Sequence, residues 1–229
     1  MAELLPVYFR DEYIAVIGKP AGLLVHRSDC ASDRVFLLQL LRDQLGQKVY
    51  PVHRLDRATS GVMIYALDSQ TAARLVEAFT AGGICKSYLA VVRGWIEAEM
   101  TVEYSLREHK QASLQEAVTG LRPLSRVELE YPVKPFPSAR YTLLECRPQT
   151  GRMHQIRRHL SHISHPVIND TTYGDSRHNR FFRDMLQTRR MLLHANSIEF
   201  SHPFDGQRMR IEAPLPADMR RSFALLGWA

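Results

Sequence analysis

Apolar residues in this chain gather in short runs closed by glycine or proline, with stripes at helical spacing between them, and that alternation limits what it can fold into. Tyr13–Ile17 reads as a strand closed by Gly18-Lys19-Pro20, and Val62–Leu67 as a mostly buried one. Helices are expected between and after them. Asp33 is placed to cap a helix carrying Phe36, Leu37, Leu40, Leu41 and Leu45 that stops at Gly46. Asp68 or Ser69 is placed to cap a second, carrying Ala72, Leu75, Val76 and Phe79 and stopping at Gly82. Tyr88–Trp95 reads as a further strand. From Glu97 to Pro137, charged and proline-bearing connections carry short alternating runs such as Val127-Glu128-Leu129-Glu130, which suggest hairpins. The mixture predicts an α+β fold with a largely antiparallel sheet. With 229 residues and 45% hydrophobic content, the expectation is a single domain spanning 1–229 with a sizeable core.

Several classes drop out. No apolar run approaches the ~18 residues of a membrane span, and Met1–Pro6 lacks the basic and apolar regions of a signal peptide, so a cytoplasmic protein without membrane contact is expected. Cys30, Cys85 and Cys146 are odd in number and lack C-x-x-C spacing, which argues for reduced core thiols. The net charge of +6 is unevenly spread. Residues 1–139 hold 16 Lys+Arg against 16 Asp+Glu, whereas residues 140–221 hold 14 Arg, no Lys and 8 Asp+Glu. An excess made only of guanidinium suits phosphate oxygens and base stacking, so this half is the candidate nucleic-acid surface, with a solvated basic face as the plain alternative.

The candidate chemistry lies at Val52-His53-Arg54-Leu55-Asp56-Arg57-Ala58-Thr59-Ser60-Gly61-Val62. One carboxylate sits among cations just before a tight turn. Positive charge on both sides favours the ionised form, so Asp56 reads as a nucleophile or base rather than an acid. A second element begins near Arg152, where Met153, Ile156, Leu160 and Ile163 repeat at three and four residues and form one apolar stripe of a helix. Arg157 borders that stripe, and a partly desolvated guanidinium needs a partner; Asp56 is the candidate. Arg158, His154 and His162 fall on the wetter face. His154, His159, His162 and His165, with spacings of three among them, are compatible with a metal site, yet no Cys or Glu completes a ligand set, so no metal is expected and the imidazoles read as polar groups beside a phosphate-binding surface.

Four segments occur together in a telling order: Gly18-Lys19-Pro20-Ala21-Gly22-Leu23-Leu24-Val25-His26, the Asp56 stretch, Lys86-Ser87-Tyr88-Leu89-Ala90-Val91-Val92-Arg93-Gly94, and Gln149-Thr150-Gly151-Arg152-Met153-His154-Gln155-Ile156-Arg157. In order and spacing the chain resembles the RluA-type pseudouridine synthases over residues 7 to about 215. That resemblance implies an α+β catalytic fold, a largely antiparallel mixed sheet flanked by helices with a central active-site cleft. It also implies an isomerase that turns a uridine of RNA into pseudouridine without cofactor, metal or second substrate. Asp56 matches the family's catalytic aspartate, Arg157 the arginine that pairs with it, and Tyr88 the tyrosine that packs on the target uracil. Arg54 matches the arginine that fills the stack vacated by the flipped base, His53 accompanies it in the motif, and Leu192 and Leu193 match a segment lining the pocket.

Further likeness points within the family to members that modify uridine 65 of transfer RNA. It is carried by Val25-His26-Arg27-Ser28, Arg157-Arg158-His159-Leu160, Gly174-Asp175 with His178-Asn179-Arg180, Ser201-His202-Pro203-Phe204 and Gly227-Trp228. The expected partner is therefore RNA, with transfer RNA first and ribosomal RNA as the alternative, bound by a monomer through Arg152, His154, Arg158, Arg177, Arg180 and Arg183. The chain is expected to lack a separate N-terminal RNA-binding domain. One departure stands out: Asn169 replaces a family glycine in Pro166-Val167-Ile168-Asn169-Asp170-Thr171-Thr172-Tyr173-Gly174. Asparagine tolerates the left-handed conformation, so the turn is expected to survive. Rival readings are an RNA-binding protein that keeps the fold without activity and a metal-dependent hydrolase using the histidine cluster.

Overall fold

A computed structural model describes residues 4–26, 35–109 and 111–228. Cys30 and Asp33, with its proposed helix cap, lie outside the described residues. The chain divides into two compact units, residues 1–86 with 195–214 and residues 87–194 with 215–229.

The first unit opens with β1 (Val7–Arg10) and β2 (Ile14–Lys19), followed by α1 (Leu37–Leu45), β3 (Tyr50–Pro51), β4 (Ser60–Ala66) and α2 (Ser69–Thr80). β2 and β4 pair antiparallel from Ile14↔Ala66 to Lys19↔Gly61, and every residue of both is buried. Burial on both faces is why their sequences read as continuous rather than alternating apolar runs. α1 begins at Leu37, with Phe36 as its cap residue, and ends at Gly46, whose φ of 67° supplies the left-handed turn. α2 is capped as expected: the Asp68 carboxylate accepts from the backbone N–H groups of Gln70 and Thr71.

β5 (Cys85–Arg93) leads into the second unit, where it pairs antiparallel with β8 (Ala139–Pro148), and β8 with β7 (Val118–Leu129), which in turn pairs with β6 (Met100–Glu103). The alternating runs after Glu97 are thus hairpin strands. The β7–β8 register slips between Pro123 and Ser125, where proline has no N–H to donate to the ladder. Two helices follow, α3 (Gln155–His162) and α4 (Ser176–Asp184), and the latter has no counterpart in the sequence reading. The chain returns to the first unit through β9 (Leu193–Ser201) and its antiparallel partner β10 (Arg208–Glu212), then ends in the second unit with α5 (Ala217–Leu225).

Val91, Tyr141, Ile168, Phe182, Leu192 and Met219 belong to the buried core of the second unit. Three expectations need correction. Cys85 is exposed, while Cys146 is the buried thiol. Met153 is 41% exposed and precedes α3, because the helix starts only after His154 takes a left-handed φ of 55°. The buried face of α3 is consequently more polar than a hydrophobic stripe: Gln155, Arg157 and His159 are buried beside Ile156 and Leu160.

Candidate active site

The first unit presents Asp56 on a built loop. Asp56 opens a turn closed by Thr59 N donating to its carbonyl at 3.1 Å, a position that aspartate favours. Lys19, buried at 2% exposure, donates from Nζ to the carbonyls of Thr59 at 2.7 Å, Pro20 at 2.9 Å and Arg57 at 3.1 Å. Gly22 N also reaches the Arg57 carbonyl at 2.7 Å, and Arg57 Nε returns a bond to the Gly22 carbonyl at 3.0 Å. Gly18-Lys19-Pro20-Ala21-Gly22 is therefore a clamp on the turn that displays Asp56. Past the turn, Gly61 has a φ of 126°, and a Cβ there would lie 2.1 Å from the Ala195 carbonyl oxygen, so only glycine fits.

Around this turn, Asp56 is half-buried and Arg54 exposed. His53 is committed to packing: its Nε2 accepts from Ile64 N at 3.0 Å and its ring stacks on Phe79 at 4.7 Å. Burial, together with the charge of Lys86, lowers its pKa to about 3, so the imidazole is neutral.

In the second unit Tyr88 lies half-buried on β5, opposite Cys146 of β8. Three backbone bonds join the centre of β5, the expected Leu192 segment and the Ile168 segment: Val91 N to the Leu192 carbonyl at 3.0 Å, Ile168 N to that of Val91 at 2.9 Å, and Leu192 N to that of Ile168 at 3.0 Å. Leu192 is wholly buried in the core and Leu193 is 3% exposed.

Arg157 has a partner that the sequence reading missed. Its Nε donates to Asp170 Oδ2 at 2.7 Å and its Nη2 to Oδ1 at 2.8 Å, a bidentate pair buried on both sides. Asp170 also accepts from Thr172 N at 2.9 Å and Tyr173 N at 3.1 Å. Burial raises the Asp170 pKa, but the Arg157 and backbone hydrogen bonds outweigh it, and the carboxyl stays below the usual carboxylate range. The guanidinium lies 5.1 Å from the Tyr173 ring centre, whose hydroxyl is 3.1 Å from His154 Nδ1. Asn169 takes the expected left-handed conformation, φ 61°, and its amide donates to the carbonyls of Thr188 and Arg190. The buried arginine itself was the available signal: it demanded a carboxylate, and Asp170 stands thirteen residues on.

The four clustered histidines have separate partners. His159, wholly buried, approaches the Tyr104 carbonyl at 3.0 Å; His162 stacks on the Tyr104 ring at 3.7 Å; His165 approaches the Arg93 carbonyl at 2.8 Å; and His154 meets Tyr173. Burial moves His159 away from the surface role expected of it. Among the described residues, no three His, Cys, Asp or Glu side chains are grouped to hold a metal ion. Of the arginines expected on the RNA surface, Arg152, Arg177, Arg180 and Arg183 are exposed and Arg158 is half-buried.

The family described as RNA pseudouridylate synthase matches residues 13–162, which include Lys19, the Asp56 turn, Tyr88 and Arg157. The chain belongs to this family. The synthase is 41% identical over 235 residues to tRNA pseudouridine synthase C of Vibrio parahaemolyticus, covering 98% of this chain and 96% of the relative. It is 42% identical over 236 residues to the protein of that name from Vibrio cholerae, with 98% and 97% covered. Among solved structures it is similar to human RNA pseudouridylate synthase domain containing 1, with a TM-score of 0.73, 25% identity, and 93% of this chain and 84% of the other covered. Human RNA pseudouridylate synthase domain containing 4, at 21% identity and a TM-score of 0.76 over 97% and 93%, shares the fold. The synthase is thus an isomerase acting on RNA, and no helix among its described residues is long and apolar enough to cross a membrane.

Proposed function

We propose that the synthase converts uridine 65 of transfer RNA to pseudouridine, with Asp56 as its catalytic aspartate. Identity near 40% along almost the whole chain to relatives named tRNA pseudouridine synthase C carries this reading. Uridine 65 rests on the segment likeness described above.

The bond between uracil N1 and the ribose C1′ breaks, the base turns, a bond from C5 to C1′ forms, and C5 gives up its hydrogen as a proton while N1 takes one up. The atoms balance within the nucleotide, so neither cofactor nor metal has a step to perform. Asp56 acts as a carboxylate, either attacking as nucleophile or removing a sugar proton to give a glycal. Arg157, its plane set by Asp170, matches the arginine expected to keep Asp56 ionised, and Tyr88 is proposed to pack on the uracil with its hydroxyl near C5. The target base leaves its stack at a cost of a few kcal/mol, and Arg54 fills the gap. Leu192 and Leu193 belong to the apolar wall, and His53 supports the loop from inside the fold. The proposal takes residues 1–229 as one catalytic domain, working as a monomer in the cytoplasm.

Mapping pseudouridine by carbodiimide treatment and primer extension, in RNA from cells with and without the gene, tests it. The expected result is a stop at position 65 of transfer RNA that disappears with the gene. Loss of a stop in ribosomal RNA instead would overturn the tRNA assignment.

A further inference from the structure

Beside the start of α4, the second unit holds a cavity of about 390 Å³ whose lining is almost entirely polar. Arg93, Ser161, Ser164, Asp175, Ser176 and Arg177 supply its functional groups. The charges are arranged unusually. Arg93 donates from Nη1 to Asp175 Oδ2 at 2.6 Å and from Nη2 to the Ser164 carbonyl at 2.8 Å. The Arg177 backbone N–H bonds Asp175 Oδ1 at 2.9 Å, and its guanidinium approaches the same carboxylate at 3.3 Å. Two cations share one anion, so the cavity keeps a net charge of one positive unit. Asp175 is ionised: burial alone would raise its pKa, but Arg177 and Arg93 lower it to about 2.

We propose that this cavity seats one backbone phosphate of the RNA substrate. Asp175 already satisfies the first turn of α4, so the helix terminus is not the attraction. The attraction is a fixed pair of guanidiniums with Asp175 bridging them, faced by three serine side chains able to donate to phosphate oxygens. Arg93 is 30% exposed and Arg177 55%, so an incoming phosphate reaches both without burying an unpaired charge. Tyr173 and Pro166 also line the cavity, but the surface it offers is predominantly polar and carries two guanidiniums, which favours phosphate over base recognition. Arg180, exposed one turn along α4, continues the positive track. The site goes beyond the arginines expected from sequence by adding Arg93 and the serines, and it rests on the reading of the synthase as a tRNA enzyme.

Ser176 is the position to change, because a carboxylate in the first turn of a helix favours folding while repelling a phosphate. Ser176→Glu should weaken tRNA binding about tenfold at low salt and reduce the slope of log K against log salt by about 0.7–0.9, one phosphate's contribution. Ser176→Gln, similar in size but neutral, should retain wild-type slope. Thermal melts establish that both variants fold, and Arg93→Gln, which also lowers the cavity's charge, should reduce the slope too. Wild-type affinity and slope in Ser176→Glu would overturn the proposal. Inorganic phosphate followed by amide chemical shifts separates the sources: shifts lost in Ser176→Glu with unchanged tRNA binding would mark a free-anion site and likewise overturn it. Pseudouridine formation by the wild-type protein in the same preparations keeps the two readings apart, since its absence would strike the enzyme assignment and not the cavity.

Discussion

Two arginines that composition treats alike have different surroundings. Arg157 is 6% exposed and forked on Asp170, whereas Arg183 is exposed and reaches its neighbour Asp184 at 2.8 Å. Arg157→Lys should therefore lower kcat by at least tenfold at saturating tRNA, because an ammonium cannot reproduce the planar fork. Arg183→Lys should leave kcat within twofold. Single-turnover kinetics at saturating tRNA decide this, and equal losses would contradict a catalytic role for Arg157. Histidine gives a second residue-scale prediction. The half-buried imidazole of His53, its pKa lowered to about 3, stays neutral while the unfolded chain's histidine protonates near 6.5, so the unfolded state binds more protons as pH falls. His178, lowered to about 4 chiefly by burial, adds to the same trend. The stabilisation is complete above about pH 6.5 and declines toward 4. Urea midpoints should follow that course, with a shallower fall in His53→Gln; an identical slope in the variant would contradict the burial of a neutral ring.

At the scale of elements, the sequence revealed most where local signals were self-contained. Asp68 capping α2, Gly46 ending α1 and the buried runs of β2 and β4 follow from residues close to one another. What was hidden depended on distant partners. Lys19 appeared as part of a strand-closing turn, yet its ammonium reaches carbonyls thirty-eight and forty residues away. Likewise, α4 is short, and its apolar residues, Phe181 and Phe182, do not by themselves form a long periodic stripe. The candidate site shows in its motifs while its supports do not, because a clamp or a second carboxylate is defined by folding rather than by spacing. Lys19→Met tests the clamp: three carbonyls lose a charged donor, which should cost about 1–3 kcal/mol and lower kcat by displacing the Asp56 turn. An unchanged thermal midpoint with unchanged turnover would show that the loop holds its shape without the lysine.

Across the whole molecule, the positive charge is divided between the two units. The Arg-rich stretch 140–221 belongs to both compact units, since residues 195–214 lie in the first. Many of its arginines are also partnered, Arg210 with Glu199 and Glu212, Arg147 with Glu145, and Arg190 with Asp218. Formal charge therefore overstates the surface available to RNA, and the cavity beside α4 is the more specific footprint. The proposed reaction depends on the Asp56 carboxylate. The most direct measurement is tritium release from tRNA labelled at uridine C5, using pure wild-type protein and pure Asp56→Asn, with folding and tRNA affinity checked in parallel. Asparagine keeps the shape of the side chain but is neither nucleophile nor base here, so the account predicts release by the wild type, none by the variant, and similar binding by both. Turnover by Asp56→Asn would contradict it.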